Sequence, residues 1–201
     1  MTSQRRAKAS CKSKGRLFGG DLFGVLTDES GVGLVKNRMD MDMAFEETKK
    51  LAEDGDAKAQ NSLGFMYANG EGVPQDFKEA AKWWTKSAEQ GYAKAQFKLG
   101  WMNENGEGVP EDPKEAAKWY RDAAEQGHAK AQYNLGAMYY TGEGKPQDYK
   151  KAVNWLTKAA EQGHALAQFN LGVMYETGRG VSKDLVQAYA WYNVAQANGD
   201  E

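Results

Sequence analysis

Residues 92–127 read YAKAQFKLGWMNENGEGVPEDPKEAAKWYRDAAEQG. Ala95, Leu99 and Met102 recur at i, i+4 and i+7, then Ala116, Trp119 and Ala123 at i, i+3 and i+7. Each set lines one stripe of a helix of 3.6 residues per turn. Between the stripes stand Gly106 and Gly108, which tolerate the left-handed backbone that ends a helix and turns the chain. Asp112 is placed as an N-cap, Pro113 fills the first helical position where a missing N–H costs nothing, and Glu115 completes a capping-box pattern. Gly127 closes the second stripe. The stretch is a helix-turn-helix unit.

Working outward, residues 56–91, 128–163 and 164–199 align with it without a gap, at a period of 36. Such a unit cannot bury its apolar face alone, so repetition at this period predicts an all-α stack of helix pairs, a solenoid. The cap recurs as Asp76 with Glu79 and Asp184 with Gln187, whereas Asp148 is followed by Lys151, which cannot reciprocate. Gly91 and Gly163 repeat the closing position. Gly64, Gly100, Gly136 and Gly172 fall in the middle of each first helix, where glycine costs about 1 kcal/mol relative to alanine. A cost accepted four times predicts close approach of the paired helices, helped by Ala57, Ala59, Ala80 and their equivalents. Trp83, Trp119, Trp155 and Trp191 share one repeat position and are expected to fill the wider gaps of the core. Upstream, residues 40–55 match the second half of a unit, with Asp40 as cap, Ala44 and Ala52 at the small positions and Gly55 at the close; Thr48 stands where the others are aromatic. They read as an N-terminal capping half repeat, since terminal repeats are atypical.

The 201-residue chain is 41% hydrophobic and 27% charged, ordinary for one domain with a tail. Residues 1–39 hold eight Lys/Arg against three Asp/Glu, a net of +5, and residues 40–201 hold eighteen against twenty-five, a net of −7. An acidic body lacks the clustered cations that phosphate backbones require, which argues against nucleic acid as a partner. Cys11 is the sole cysteine, which excludes an internal disulfide and a cysteine-based metal site. No run reaches the roughly 18 apolar residues of a membrane helix. Residues 1–20 are basic and acid-free, and the apolar run 17–26 is broken by Gly19, Gly20, Asp21 and Gly24, unlike a secretory signal. Residues 1–39 are read as a basic disordered tail and the expected compartment is the cytoplasm; an organelle is the alternative if residues 1–20 act as a presequence.

The repeat resembles the Sel-one-like repeat (SLR) family, a 36-residue relative of the tetratricopeptide repeat. The family pattern is legible at Ala93, Ala95, Gln96, Leu99, Gly100, Met102, Gly106, Gly108, Val109, Asp112, Ala116, Trp119, Ala123, Ala124 and Gly127. Departures include Asn103 for Tyr, Lys145 for Val, Ser182 for Pro and Gln196 for the second Ala. The resemblance implies a right-handed α/α superhelix of four repeats after one half repeat. It also implies a non-catalytic adaptor or scaffold that holds a protein or peptide. A cysteine-rich branch of the family, to which β-lactam binding or hydrolysis is attributed, carries a cysteine pair in each repeat. This chain has none there, which disfavours that enzymatic alternative.

Differences among the four units indicate where a partner would bind. Counting each unit from its first residue, first-helix positions 3, 6, 7, 10, 13 and 14 vary, while 2, 4, 5, 8, 9 and 11 do not. At about 100° per residue the varying set falls within one wedge. In the resembling family the first helices line the concave surface. The candidate partner-binding residues are therefore Lys58, Ser62 and Phe65; Lys94, Lys98 and Trp101; Lys130, Asn134 and Tyr140; and Leu166, Asn170 and Val173. Phe65 and Trp101 are anchor candidates, with packing against the adjacent unit as the other reading. Lys58, Lys94 and Lys130 form a basic ladder suited to an acidic peptide, or else are solvated helix-start residues.

Chemistry is sparse. No catalytic residues, cofactor or metal site are expected. His128 and His164 lie one repeat apart, but two imidazoles without a fixed carboxylate make a poor metal site. Residues 185–198 contain no charge, and an uncapped apolar solenoid end favours self-association. Tyr189, Tyr192 and Val194 are its candidate contacts, with a natural chain that continues further as the alternative.

Overall fold

A computed structural model describes residues 25–27, 33–35 and 38–199. The chain divides into two compact units, Met1–Asn37 and Arg38–Glu201. In the first, β1 (Val25–Thr27) pairs antiparallel with β2 (Gly33–Val35), Val25 opposite Val35 and Thr27 opposite Gly33. The tail reading of residues 1–39 did not include this ladder. Residues 1–20 and Cys11 lie outside the described residues.

The second unit is all-α. A single helix, α1 (Arg38–Glu53), precedes four pairs: α2 (Ala57–Asn69) with α3 (Phe77–Glu89), α4 (Ala93–Asn105) with α5 (Pro113–Glu125), α6 (Ala129–Thr141) with α7 (Tyr149–Glu161), and α8 (Ala165–Thr177) with α9 (Leu185–Gly199). Each helix packs chiefly on its neighbours in sequence, the pattern of a solenoid. The helix begins at Arg38, so Asp40 lies in the first turn of α1 and is not its cap. Its carboxylate still complements the positive end of the helix dipole.

The punctuating residues behave as their chemistry requires. Gly106 ends α4 in the left-handed region at φ 67°, and its N–H donates to the Met102 carbonyl. Gly108, also left-handed, lies against the previous unit: a Cβ there would sit 2.4 Å from the Phe77 carbonyl oxygen. Gly72 has the same relation to Met41, with 2.8 Å to its carbonyl oxygen. The α1–α2 junction therefore reproduces the joint between full units.

The caps form, but the capping boxes do not close. Asp112 Oδ1 accepts from the N–H groups of Lys114 and Glu115 at 3.0 and 3.1 Å. Its own N–H is already donated to the Asn103 carbonyl. Glu115 has no donor left to meet at the cap, and pairs with Lys118 instead. Asp76 and Glu79 repeat the arrangement, with the Tyr67 carbonyl and Lys82 as partners.

The mid-helix glycines admit the partner helix. A Cβ at Gly64 would lie 2.5 Å from Trp84 Nε1, at Gly100 2.5 Å from Tyr120 Cδ1, at Gly136 2.9 Å from Leu156 Cγ, and at Gly172 2.4 Å from Tyr192 Cε1. The large side chain in this gap is one position after the repeated Trp. Trp84, Tyr120 and Leu156 are buried, whereas Trp83, Trp119, Trp155 and Trp191 are only half-buried. The repeated Trp is thus a margin residue, and Lys86 and Lys158 cover the rings of Trp83 and Trp155 at 4.0 and 4.3 Å.

A glutamine at the fifth position ties each unit to the last. Gln96 Nε2 donates to the Ala88 carbonyl at 3.2 Å, and its Oε1 accepts from Gln126 Nε2 at 2.7 Å. Gln60, Gln132 and Gln168 repeat both bonds, with Gln90, Gln162 and Asn198 as the respective donors. These four glutamines are buried, and a buried amide left unpaired costs about 1–3 kcal/mol, so the bonds fix where each unit seats.

Candidate functional site

The variable wedge divides into open and packed positions. Lys58, Ser62, Lys94, Trp101, Lys130 and Leu166 are exposed; Phe65, Lys98, Asn134, Tyr140, Asn170 and Val173 are half-buried. Trp101 is 39% exposed. Its counterparts Phe65, Ala137 and Val173 are half-buried, so unit two alone presents a large aromatic here.

Phe65 is not a free anchor. Its ring meets Trp84 edge-on at 5.2 Å between centroids, and Lys98 Nζ lies 4.7 Å over its face. The alkyl stem and ammonium of Lys98 thus link the first and second units. Burial, reinforced by the nearby Lys130 ammonium, lowers the Lys98 pKa below the usual lysine value, and Glu107 opposes the shift. Lys94 and Lys130 both lie close enough to His128 to disfavour its protonation. Lys94, Lys98 and Lys130 therefore make one cationic patch across units two and three.

Tyr140 is also taken up in packing. It meets Tyr149 edge-on at 5.4 Å, and Arg179 from the fourth unit bonds its hydroxyl and lies over both rings. Asn134 sits beside the Tyr120 phenol. Position six belongs to the joints between units. There Phe97 stacks on His128 at 4.7 Å and Tyr133 on His164 at 4.6 Å, while Asn61 is buried.

The two histidines are helix caps. His128 Nδ1 accepts from the Ala131 N–H and His164 Nδ1 from the Ala167 N–H, both at 3.3 Å. Asp56 does the same for Ala59 at 2.7 Å, and Tyr92 supplies no side-chain cap. Among the described residues, no group of three or more His, Cys, Asp or Glu side chains is placed to hold a metal ion. No helix among them is long and apolar enough to cross a membrane.

Two features were not foreseen from the sequence, the burial of Lys145 and a groove. Lys145 stands where the other units have Val73, Val109 and Val181. Its Nζ is buried without a hydrogen-bond partner, 4.2 Å over the Tyr139 ring. Burial, with Arg121 and Lys151 nearby, pushes its pKa down to about 8. The second feature is a groove of about 460 Å³ at the far end, lined by Leu166, Phe169, Tyr192 and Ala195 among others. Tyr192 was expected as an exposed contact; it is half-buried against Gly172 and donates its hydroxyl to Glu176 at 2.6 Å.

The Sel1 repeat profile matches residues 57–92, 93–128, 129–164 and 165–200. Among solved structures, c5321, a protective antigen present in uropathogenic Escherichia coli strains and displaying an SLR fold, is 43% identical with a TM-score of 0.75; the match covers 77% of this chain and 33% of that one. A Sel1 repeat protein from Oxalobacter formigenes is 39% identical with a TM-score of 0.76, over 81% of this chain and 64% of that one. Cysteine-rich protein B of Helicobacter pylori is 25% identical with a TM-score of 0.51, over 65% of this chain and 93% of that one. The chain thus spans a third of the length of the first of these relatives and under two thirds of the second. No curated protein matches it. Four consecutive profile matches, carried on four helix pairs joined by the same glycines, caps and glutamines, place the chain in the Sel1 repeat family, whose repeats are commonly protein-interaction scaffolds.

Proposed function

We propose that this chain is a non-catalytic scaffold that holds an acidic peptide or protein segment along the open positions of its first helices. The observation that carries the reading is exposed Trp101 on the same face of α4 as Lys94 and Lys98, at i, i+4 and i+7, with Lys130 of the next unit near Lys98. An indole beside cations offers an apolar anchor and a charge to complement an acidic partner. Lys58, Ser62, Asn170 and Val173 extend the same surface into the first and fourth units, while Phe65, Asn134 and Tyr140 support it from beneath through the packing described above.

Trp101→Ala combined with Lys98→Ala tests this reading in affinity capture with mass spectrometry against the wild type. The double variant is expected to keep its helical circular dichroism and lose the captured partner. An unchanged set of recovered proteins, with the fold intact, removes the concave-face assignment.

A further inference from the structure

The fourth unit departs from the other three at positions that face water in all of them. Lys58, Lys94 and Lys130 give way to Leu166; Lys78, Lys114 and Lys150 to Val186; Lys82, Lys118 and Asn154 to Ala190; and Lys86, Asp122 and Lys158 to Val194. Every one of these sixteen residues is exposed. In the first three units they stay exposed although the next unit is stacked beside them. A further repeat in the same register would therefore leave them in water too. Val186, Ala190 and Val194, at i, i+4 and i+8, instead form an apolar stripe along α9, widened by Leu185 and Tyr189 on the side that turns towards the groove.

We infer that this end of the solenoid docks a second copy of the same chain, with α9 of each copy laid against α9 of the other about a two-fold axis. A two-fold contact sets a surface against itself, so any charge on it meets its like. Residues 185–199 carry none. The opposite end is unsuited as the partner face, because α1 exposes Asp42, Glu46, Glu47, Lys50 and Glu53 around Met43 and Leu51. Head-to-tail docking would strip water from those charges against an apolar stripe that cannot pair them. On α9 itself Leu185, Val186, Tyr189 and Val194 are 43–78% exposed, which at about 150–200 Å² per large side chain offers roughly 400 Å², the scale of a small interface beside the ~800 Å² each partner buries in a standard one.

Sedimentation equilibrium of the full chain tests the inference, with Val186→Lys/Val194→Lys as the main variant. Lysine is what the first unit carries at both positions, so the variant is expected to fold, and Val186→Lys alone serves as a milder second form. The wild type is expected to reach twice its 22.2 kDa mass. The dissociation constant is expected to rise by about 100-fold in the double variant and in the same direction in the single one. Met43→Lys/Leu51→Lys, at the other end, leaves dimerisation unchanged. A wild type that stays monomeric at high concentration overturns the inference, as does a dimer indifferent to the Val186 and Val194 changes. Growth beyond two copies that Met43→Lys/Leu51→Lys abolishes overturns it in favour of head-to-tail assembly. None of the substituted residues belongs to the peptide-binding surface, so the two proposals fail separately.

Discussion

The Tyr120 hydroxyl donates to Glu104 Oε2 at 2.6 Å, and sixteen positions separate the two residues. Tyr192 and Glu176 repeat the bond at the same spacing and distance. Where the ring position holds Trp84 or Leu156, the carboxylate position holds Ala68 or Tyr140. Variation at position thirteen of the first helix is thus matched to the side chain that fills the gap at the mid-helix glycine. It records packing between the paired helices, and it removes Tyr140 from the open part of the wedge.

Tyr120→Phe keeps the ring against Gly100 and deletes the hydroxyl, which donates to Glu104 and lies beside Asn134. The Glu104 carboxylate then lacks its partner in a half-buried place, and the expected loss is about 1.5–3 kcal/mol, the range for a hydrogen bond to a charged group. Glu104→Gln retains an acceptor and is expected to cost less. Urea unfolding of both single variants and the double variant measures the coupling; additive losses contradict it.

Gly100→Ala pits two effects against each other. Alanine gains about 1 kcal/mol of helix propensity, but its Cβ would lie 2.5 and 2.6 Å from Tyr120 Cδ1 and Cε1. The ring is rigid and buried, so overpacking of about 1–3 kcal/mol outweighs the gain and the thermal midpoint is expected to fall. At Gly136 the nearest atoms are Leu156 Cγ and Cδ2, at 2.9 and 3.1 Å. A leucine side chain rotates aside more easily than a ring, and Gly136→Ala is expected to be milder. Equal losses at the two sites contradict this account.

Features encoded by residue chemistry close by in the chain were legible in the sequence. Gly106 and Gly127 are left-handed where the repeat demanded it, and Asp112 caps α5. Features decided by a distant partner were not. Glu115 fails to close its box because the Asn103 carbonyl, across the loop, takes the Asp112 N–H first. Trp119 and Tyr120 are about 100° apart on one helix, and periodicity alone cannot say which enters the gap at Gly100. The wedge was readable as a direction, yet its open members, such as Lys94 and Trp101, separate from Phe97 only once His128 of the next unit is seen to stack on that ring.

Lys145→Val restores the residue of the other units and is expected to raise stability. It removes a buried ammonium that has no hydrogen-bond partner, a mechanism by which charge-to-apolar changes commonly stabilise. The pH dependence is a second readout. The folded pKa of about 8 lies below the ordinary 10.5, so between those values the unfolded chain holds the proton that the folded chain has released. Stability therefore rises with pH across this window, and the penalty is fully present below it. The variant is expected to flatten the rise; an unchanged slope contradicts the assignment.

His128 and His164 make the joints at α6 and α8 sensitive to acid. Each Nδ1 accepts a backbone N–H, and each ring stacks on the aromatic of the preceding unit, Phe97 or Tyr133. Burial first, and then the Lys130 charge on both and Lys94 on His128, lower their pKa values below 6.5. Protonation at Nδ1 destroys the acceptor and sets a cation at a helix N-terminus, against the dipole. The sign follows from the lowered folded pKa. Above about pH 6.5 both states are neutral and stability is unaffected; as pH falls below that, the unfolded chain binds protons first and stability declines, levelling off beneath the folded values. His128→Asn/His164→Asn keeps a capping acceptor that does not titrate. Urea midpoints measured from about pH 7 to about pH 5 are expected to fall for the wild type and to change less for the double variant, and equal declines in the two proteins contradict the assignment of acid sensitivity to these caps.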